Sequence, residues 1–368
     1  MSYKSIDQIQ NLLSETIFSH TESPKKAAGR ALGTFIEIIG FYPIKTWGHE
    51  YSVAIERPLP EYANPEIMHN VEFTFHRNKF IGKIEAPKRD SSISSTQIFN
   101  NANLPDNFQK TKTSRNLINN ELIKNACTFA FSDSSFCNAY FSPDKRNILL
   151  YELFNTPYAM FECKRVGIEK GMGKGPQTIE KAKQGSYVAR TVSSIQRIRF
   201  RDGRIGGAIE RNGKFEFYDD YCALIEKAVF EHDAELLSNL ILTVGIVSNH
   251  GNWFTSDNHN KEMKVLAQSY DWLLFLTDTG LSSFVHDILE KRGAFSAVKM
   301  AFENSYEKGK KINRFTKTNM DYESDIALTE YFVANVKKIE SWFNVITPRN
   351  KSISELRGML TELNRVGV

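Results

Sequence analysis

Ser142-Pro143-Asp144, an apolar run over 148–154, Asn155-Thr156-Pro157 and then Tyr158-Ala159-Met160-Phe161-Glu162-Cys163-Lys164 form the stretch whose reading decides the fold. The two apolar runs read as strands, and Asn155-Thr156-Pro157 is the expected turn between them. Such a hairpin puts Asp144 at the start of its first strand. Glu162 and Lys164, two residues apart near the end of the second, project from one face of it. The run Ala159-Met160-Phe161 reads as central, and a charged pair at the end of a buried strand costs free energy unless it is used. Two carboxylates converging at one end of a hairpin make a hard, oxygen-rich site suited to Mg²⁺. A lysine beside them orients a water or helps to deprotonate it, and the metal stabilises a pentacovalent phosphate. That is chemistry for phosphodiester hydrolysis. The same acid-x-Lys spacing at Glu262 and Lys264 lies in a polar helical window and reads as a solvated helix face.

Outward from this stretch, Ile6, Ile9, Leu12, Leu13 and Ile17 mark one face of a short helix. Ser23-Pro24 opens a second helix, expected to stop at Gly40. Its Ala27, Ala28, Gly29, Ala31 and Gly33 permit close packing on a flat partner. A hairpin is expected over 71–84, a long loop or flap over 87–117 and an amphipathic helix over 117–127. Strand-like runs follow at 128–131 and 139–141, then a helix at 176–193. Further on, strands are expected at 240–247 and 272–276, and helices at 258–268, 281–304, 325–345 and 353–364. Strands interleaved with helices indicate an α/β core with helical additions. The expected division is an N-terminal part at 1–117, a core at 118–290 containing a basic hairpin at 194–218, and a C-terminal helical region at 291–368.

Pro143-Asp144 followed by Glu162-Cys163-Lys164 resembles the signature of the PD-(D/E)xK nuclease superfamily. The run from Phe161 to Gly167, leading into Gly175-Pro176-Gln177, resembles type II restriction endonucleases of that superfamily. The resemblance covers about 23–40 and 118–290 and implies an α-β-β-β-α-β core with a mixed central sheet flanked by helices. It implies that Asp144 and Glu162 bind Mg²⁺, with the Cys163 backbone carbonyl as a further ligand, and that Lys164 positions or activates the attacking water. Glu37 on the N-terminal helix is a candidate extra acid, and Gln177, Gln184 and Tyr187 are candidates for the phosphate path. Asp133 is the alternative first acid if the strand pairing is shifted. Asp144 is preferred, because it shortly precedes a strand that can hairpin onto Glu162.

Two hairpin signals, Asp202-Gly203 and Asn212-Gly213, organise 194–218. With a two-residue turn at the first, Arg197, Arg199, Arg201 and Arg204 share one face, and Ile198, Phe200, Ile205 and Ile209 the other. Such a ribbon suits a DNA groove, with arginines on phosphates or guanine edges. Ile209 is then expected across from Glu216. Asn249, His250 and Asn252 follow an expected buried strand and are candidates for reading base edges. Lys110, Lys112 and Arg115 form one further basic cluster, and Lys308, Lys310, Lys311, Arg314 and Lys317 another, either of which can clamp phosphates.

Composition bounds the rest. In 368 residues there are 47 Lys plus Arg against 43 Asp plus Glu, so the net charge of +4 points to no polyanion unless basic residues cluster. The four cysteines form no C-x-x-C pair and no disulfide framework. Met1 to Asp7 lacks a signal-peptide run, and a cytoplasmic protein without membrane contact is expected. No phosphate-binding G-x-x-x-x-G-K-[ST] loop implies a nucleotide cofactor. The expectation is a Mg²⁺-dependent type II restriction endonuclease acting on double-stranded DNA as a homodimer. A repair or recombination nuclease and an inactive DNA-binding protein on the same core are the alternatives.

Overall fold

The structure, a computed structural model, describes residues 6–58, 70–165, 195–233, 236–237, 240–248, 265–290, 295–306 and 313–365. The chain begins with α1 (Ile6–Glu15) and α2 (Pro24–Thr46), then β1 (Val53–Pro58) and β2 (Asn70–Glu85). Short elements follow: β3 (Ile93–Ser94), α3 (Ser95–Asn101), β4 (Gln109–Lys110), β5 (Asn116–Asn119) and β6 (Leu122–Lys124). Next come β7 (Cys127–Phe131), β8 (Ser135–Phe141) and the long β9 (Asn147–Arg165). The basic segment forms β10 (Ile195–Arg199), β11 (Ile205–Arg211) and β12 (Lys214–Tyr218), followed by α4 (Tyr221–Phe230). After these stand β13 (Leu242–Ser248), β14 (Trp272–Leu276), α5 (Asp278–Glu290) and α6 (Ser296–Ser305). The last elements are β15 (Asn319–Asp321), α7 (Tyr322–Ala334), α8 (Val336–Glu340), β16 (Phe343–Thr347) and α9 (Ile353–Arg365).

The architecture is α/β, with a mixed nine-stranded sheet whose main path is β16-β14-β13-β9-β8-β7-β4. β2 pairs antiparallel along one edge of β9 and also carries β1. The opposite edge of β9 is shared. β8 pairs with its first half, from Phe141↔Ile148 to Ser135↔Phe154, and β13 runs parallel to its second half from Leu242↔Ala159. Helices cover the sheet through one apolar cluster that joins Leu13, Phe35, Phe73, Phe161, Leu274 and Leu360. Burying each such side chain contributes about 1.5–3 kcal/mol. N-terminal, central and C-terminal segments therefore share a core.

β9 replaces the hairpin expected between Asp144 and Glu162. The strand runs straight through Asn155-Thr156-Pro157. Pro157 is tolerated because it falls in the gap between the β8 and β13 pairings, and the β2 register is shifted on both sides of His76. A residue without an N–H fits where the ladder is interrupted. The expected 71–84 hairpin is likewise one strand, β2, bent by register shifts instead of a turn.

Other expectations change for similarly local reasons. The 87–117 segment is no bare loop: Ile93, Ile98, Leu117 and Ile118 anchor its short elements in a second core. The helix expected over 117–127 is the β5–β6 hairpin, turned by Asn120 and Glu121 with φ of 49° and 64°. α2 continues past Gly40 to Thr46. A Cβ on Gly40 would lie 2.5 Å from the Cys163 Sγ, so this glycine serves close approach of α2 to β9 and does not end the helix. At the C-terminus, 281–304 falls into α5 and α6, and 325–345 into α7, α8 and β16. No described helix is long and apolar enough to cross a membrane.

Candidate active site

Glu162 and Lys164 lie on β9 as the alternation requires, with the Lys164 Nζ 3.4 Å from Glu162 Oε2. Glu162 is only 2% exposed. The β2–β9 register pairs Phe73 with Phe161, which brings Glu72 on the neighbouring strand alongside. Glu72 is itself buried, and its Oε2 accepts the Cys163 backbone N–H at 2.6 Å. The main chain of Cys163 thus enters the site through its N–H, while its thiol is packed against Gly40 of α2.

A second lysine completes the cluster. Lys317, buried, donates to Glu72 Oε1 at 2.8 Å and lies 3.3 Å from Glu37 and 3.4 Å from Glu56. Glu37, the candidate extra acid, reaches this lysine from α2. Glu56 sits on β1 with φ of 51°, a left-handed conformation that non-glycine residues adopt only when their surroundings hold them there. Lys317 is positioned by its own local structure. Phe315 bridges to Met320 and packs on Phe35 and Phe302, and Asn125 Nδ2 donates to the Lys317 carbonyl.

Burial of so many charges sets their proton affinities. Burial pushes the Glu72 carboxyl up, to about 8, with Lys317 pulling it down and Glu37 and Glu162 adding to the rise. Burial also raises Glu37 against the attraction of Lys317. For Lys164 burial works against the charge, but Glu162 and Glu72 outweigh it and hold the ammonium above the usual lysine range. Lys317 shows the same balance, with Glu72 and Glu37 outweighing burial. The neighbouring carboxylates thus favour the charged form of Lys164.

Asp144 does not join this cluster. It lies in the exposed turn between β8 and β9, where its Oδ1 accepts from Ser142 Oγ at 2.6 Å and from the Arg146 N–H at 3.1 Å. Those hydrogen bonds hold its carboxyl below the usual range. The uninterrupted β9 is the reason, since it puts Asp144 and Glu162 toward opposite ends of one strand. The alternative Asp133 is exposed in the β7–β8 turn, its carbonyl bonded by Asn155.

The basic hairpin also departs from its expected register. Its first turn holds three residues, because Phe200 N–H bonds the Arg204 carbonyl and Arg199 pairs with Ile205. This one-residue slip sets Arg197 and Arg199 across from Gly207 and Ile205, so the all-arginine face does not form. Arg197 donates to the Gln268 and Tyr270 carbonyls and pairs with Asp271 at 2.8 Å, a structural role. Arg204 pairs with Asp202 and Asp219, while Arg199 and Arg201 remain exposed. The second turn, at Asn212-Gly213, has two residues, and Ile209 faces Glu216 as expected. Gln177, Gln184, Tyr187, Asn249, His250 and Asn252 lie outside the described residues.

Sequence reasoning missed Glu72, Glu56 and the place of Lys317 in the cluster. For Glu72 the signal existed: Val71, Phe73 and Phe75 alternate with Glu72, Thr74 and His76, so a charge stood inside a strand pattern. The donor set is hard carboxylate oxygen, which fits Mg²⁺. Among the described residues no three acidic, His or Cys groups already form a metal cage, and the carboxylates converge instead on the Lys317 ammonium. Comparison with protein-family models, curated proteins and solved structures found no match to the chain.

Proposed function

We propose that the chain is a Mg²⁺-dependent endonuclease that hydrolyses phosphodiester bonds in double-stranded DNA, with a PD-(D/E)xK core of the restriction type. The observation that carries this proposal is the meeting of Glu72 from β2 with Glu162 and Lys164 from β9 beside Glu37 of α2. The order α2, β1, β2, β9, α4 and β13 follows an α-β-β-β-α-β core once the elements β3 to β8 and the β10–β12 sheet are counted as insertions. The first acid is then Glu72, preceded by Val71, where the signature has Pro-Asp.

Four carboxyl groups stand beside two ammonium groups, and a divalent cation would favour the ionised form of Glu72, whose proton affinity burial raises. Glu72 and Glu162 would hold it, with Glu37 at hand. When bound, Mg²⁺ supplies Lewis-acid stabilisation of the charge that builds on the phosphate. Lys164, kept cationic, donates toward the attacking water or a phosphate oxygen, and its pairing with Glu162 fixes its aim. The apolar packing of β9 keeps these groups from shifting.

A two-fold pair of such sites suits a palindromic target, so we propose a homodimer cutting both strands. The test is digestion of plasmid DNA with Mg²⁺. Discrete fragments support a restriction enzyme, a smear supports a repair or recombination nuclease, and loss of all cutting in Glu162→Gln and Lys164→Ala supports the site. A second reading, a core that binds DNA without cutting it, draws on Lys317, which already places a cation among the acids. Wild-type protein that binds duplex DNA but leaves it intact with Mg²⁺ selects that reading.

A further inference from the structure

A cavity of about 470 Å³ opens between the segment after β4, the β7–β8 turn, β1 and the middle of β9. Its wall carries Arg57, Lys112 and Arg115, hydroxyls including Thr111 and Thr113, and the Asn155 amide, and none of the described lining residues is acidic. Arg57 is preset: its guanidinium lies 4.5 Å over the Phe136 ring and donates to Asn155 Oδ1 at 3.2 Å. Lys112 and Arg115 stand exposed at the rim. Ser135 in the floor is engaged by Glu152, to which its hydroxyl donates at 2.7 Å.

Lys112 and Arg115 bring two exposed cations to one cavity, and an anion with several acceptor oxygens relieves their repulsion. Cations with hydroxyl donors are groups that position phosphate oxygens, whereas base reading needs free planar surfaces or paired donors and acceptors. The Phe136 ring is covered by Arg57. Arg57, in the cavity wall, directly follows Glu56 in β1, and Glu56 lies 3.4 Å from the Lys317 ammonium of the acidic cluster. We infer that this cavity docks a phosphate of the polynucleotide backbone that flanks the bond held at the Glu72–Glu162 cluster. The inference rests on the nuclease proposal for that cluster.

The test is binding of a short fluorescein-labelled DNA duplex, with Ca²⁺ replacing Mg²⁺, to wild type and to the Lys112→Glu, Arg115→Glu double variant across a salt series. The expected result is at least about a tenfold weaker affinity for the variant and a log K against log[salt] slope shallower by about 2. An unchanged melting temperature shows that folding is intact. Equal affinity and equal slope overturn the inference. Duplex binding with these differences but no hydrolysis by wild type with Mg²⁺ leaves the docking site standing and removes the nuclease proposal. If inorganic pyrophosphate raises the melting temperature of wild type alone and no duplex binds, the site takes a free phosphoanion and the backbone assignment is overturned.

Discussion

The Glu72 carboxylate accepts the backbone N–H of Cys163 at 2.6 Å, between the two residues of β9 that carry the proposed chemistry. This bond ties β2 to β9 where Glu162 and Lys164 emerge. It gives Glu72 the place that the sequence assigned to Asp144, which instead closes a surface turn with Ser142 and Arg146.

Lys317 is a buried ammonium held by three glutamates, so removing it leaves buried carboxylates without their counter-charge. We expect Lys317→Met to lose about 3–5 kcal/mol of stability in chelator, the usual cost of breaking a buried ion pair. Added Ca²⁺ should raise the variant's melting temperature more than that of wild type, because the metal takes over the missing charge. Thermal melts with and without Ca²⁺ check this; equal shifts would show that the acids do not share a cation site.

Gly40 leaves no room for a side chain against Cys163. Gly40→Ala should cost about 1–3 kcal/mol by overpacking, even though alanine is the better helix former. Adding Cys163→Ala should recover part of the loss, which urea melts of the two single variants and the double variant would measure. Additive losses would mean that the strain lies elsewhere.

Two buried histidines should weaken the fold in acid. Burial, reinforced by Arg57, lowers His76 to about 3, and burial lowers His49 to about 4. His76 Nδ1–H donates to the Phe154 carbonyl, which leaves Nε2 to accept from Thr74 Oγ1 at 2.7 Å, a fit for the neutral ring. Because the folded values lie below that of an unfolded histidine, near 6.5, their contribution is intact above about pH 6.5. It is lost as pH falls toward 4 and then 3, at about 1.4 kcal/mol per unit for each ring. Replacing His76 with glutamine should flatten the decline in stability between pH 6.5 and 4, as followed by denaturant melts.

Much of the frame was legible because short apolar runs bounded by polar residues have few alternatives. The run Trp272 to Leu276 is β14 to the residue, and Glu162 and Lys164 share a face of β9. What misled were turn residues without turns. Asn155-Thr156-Pro157 and the middle of 71–84 read as breaks, yet both strands continue, since pairing partners change and the register shifts there. Conversely, Asn120-Glu121 makes a tight turn without a glycine. The place of Glu72 beside the Cys163 N–H follows from those continuities, whereas a turn at 155–157 would point to Asp144 instead. Lys317 lies 245 residues from Glu72, and only the folded chain brings them together.

The central claim, that Glu72 and not Asp144 works with Glu162 and Lys164 in a metal-dependent nuclease, is tested most directly on plasmid DNA with Mg²⁺. Wild type and Asp144→Ala should yield the same discrete fragments at rates within about twofold. Glu72→Gln should be slower by about a hundredfold or more, as for loss of a group that acts in the transition state. Glu72→Gln cutting as fast as wild type, or wild type leaving the plasmid intact, would contradict the account.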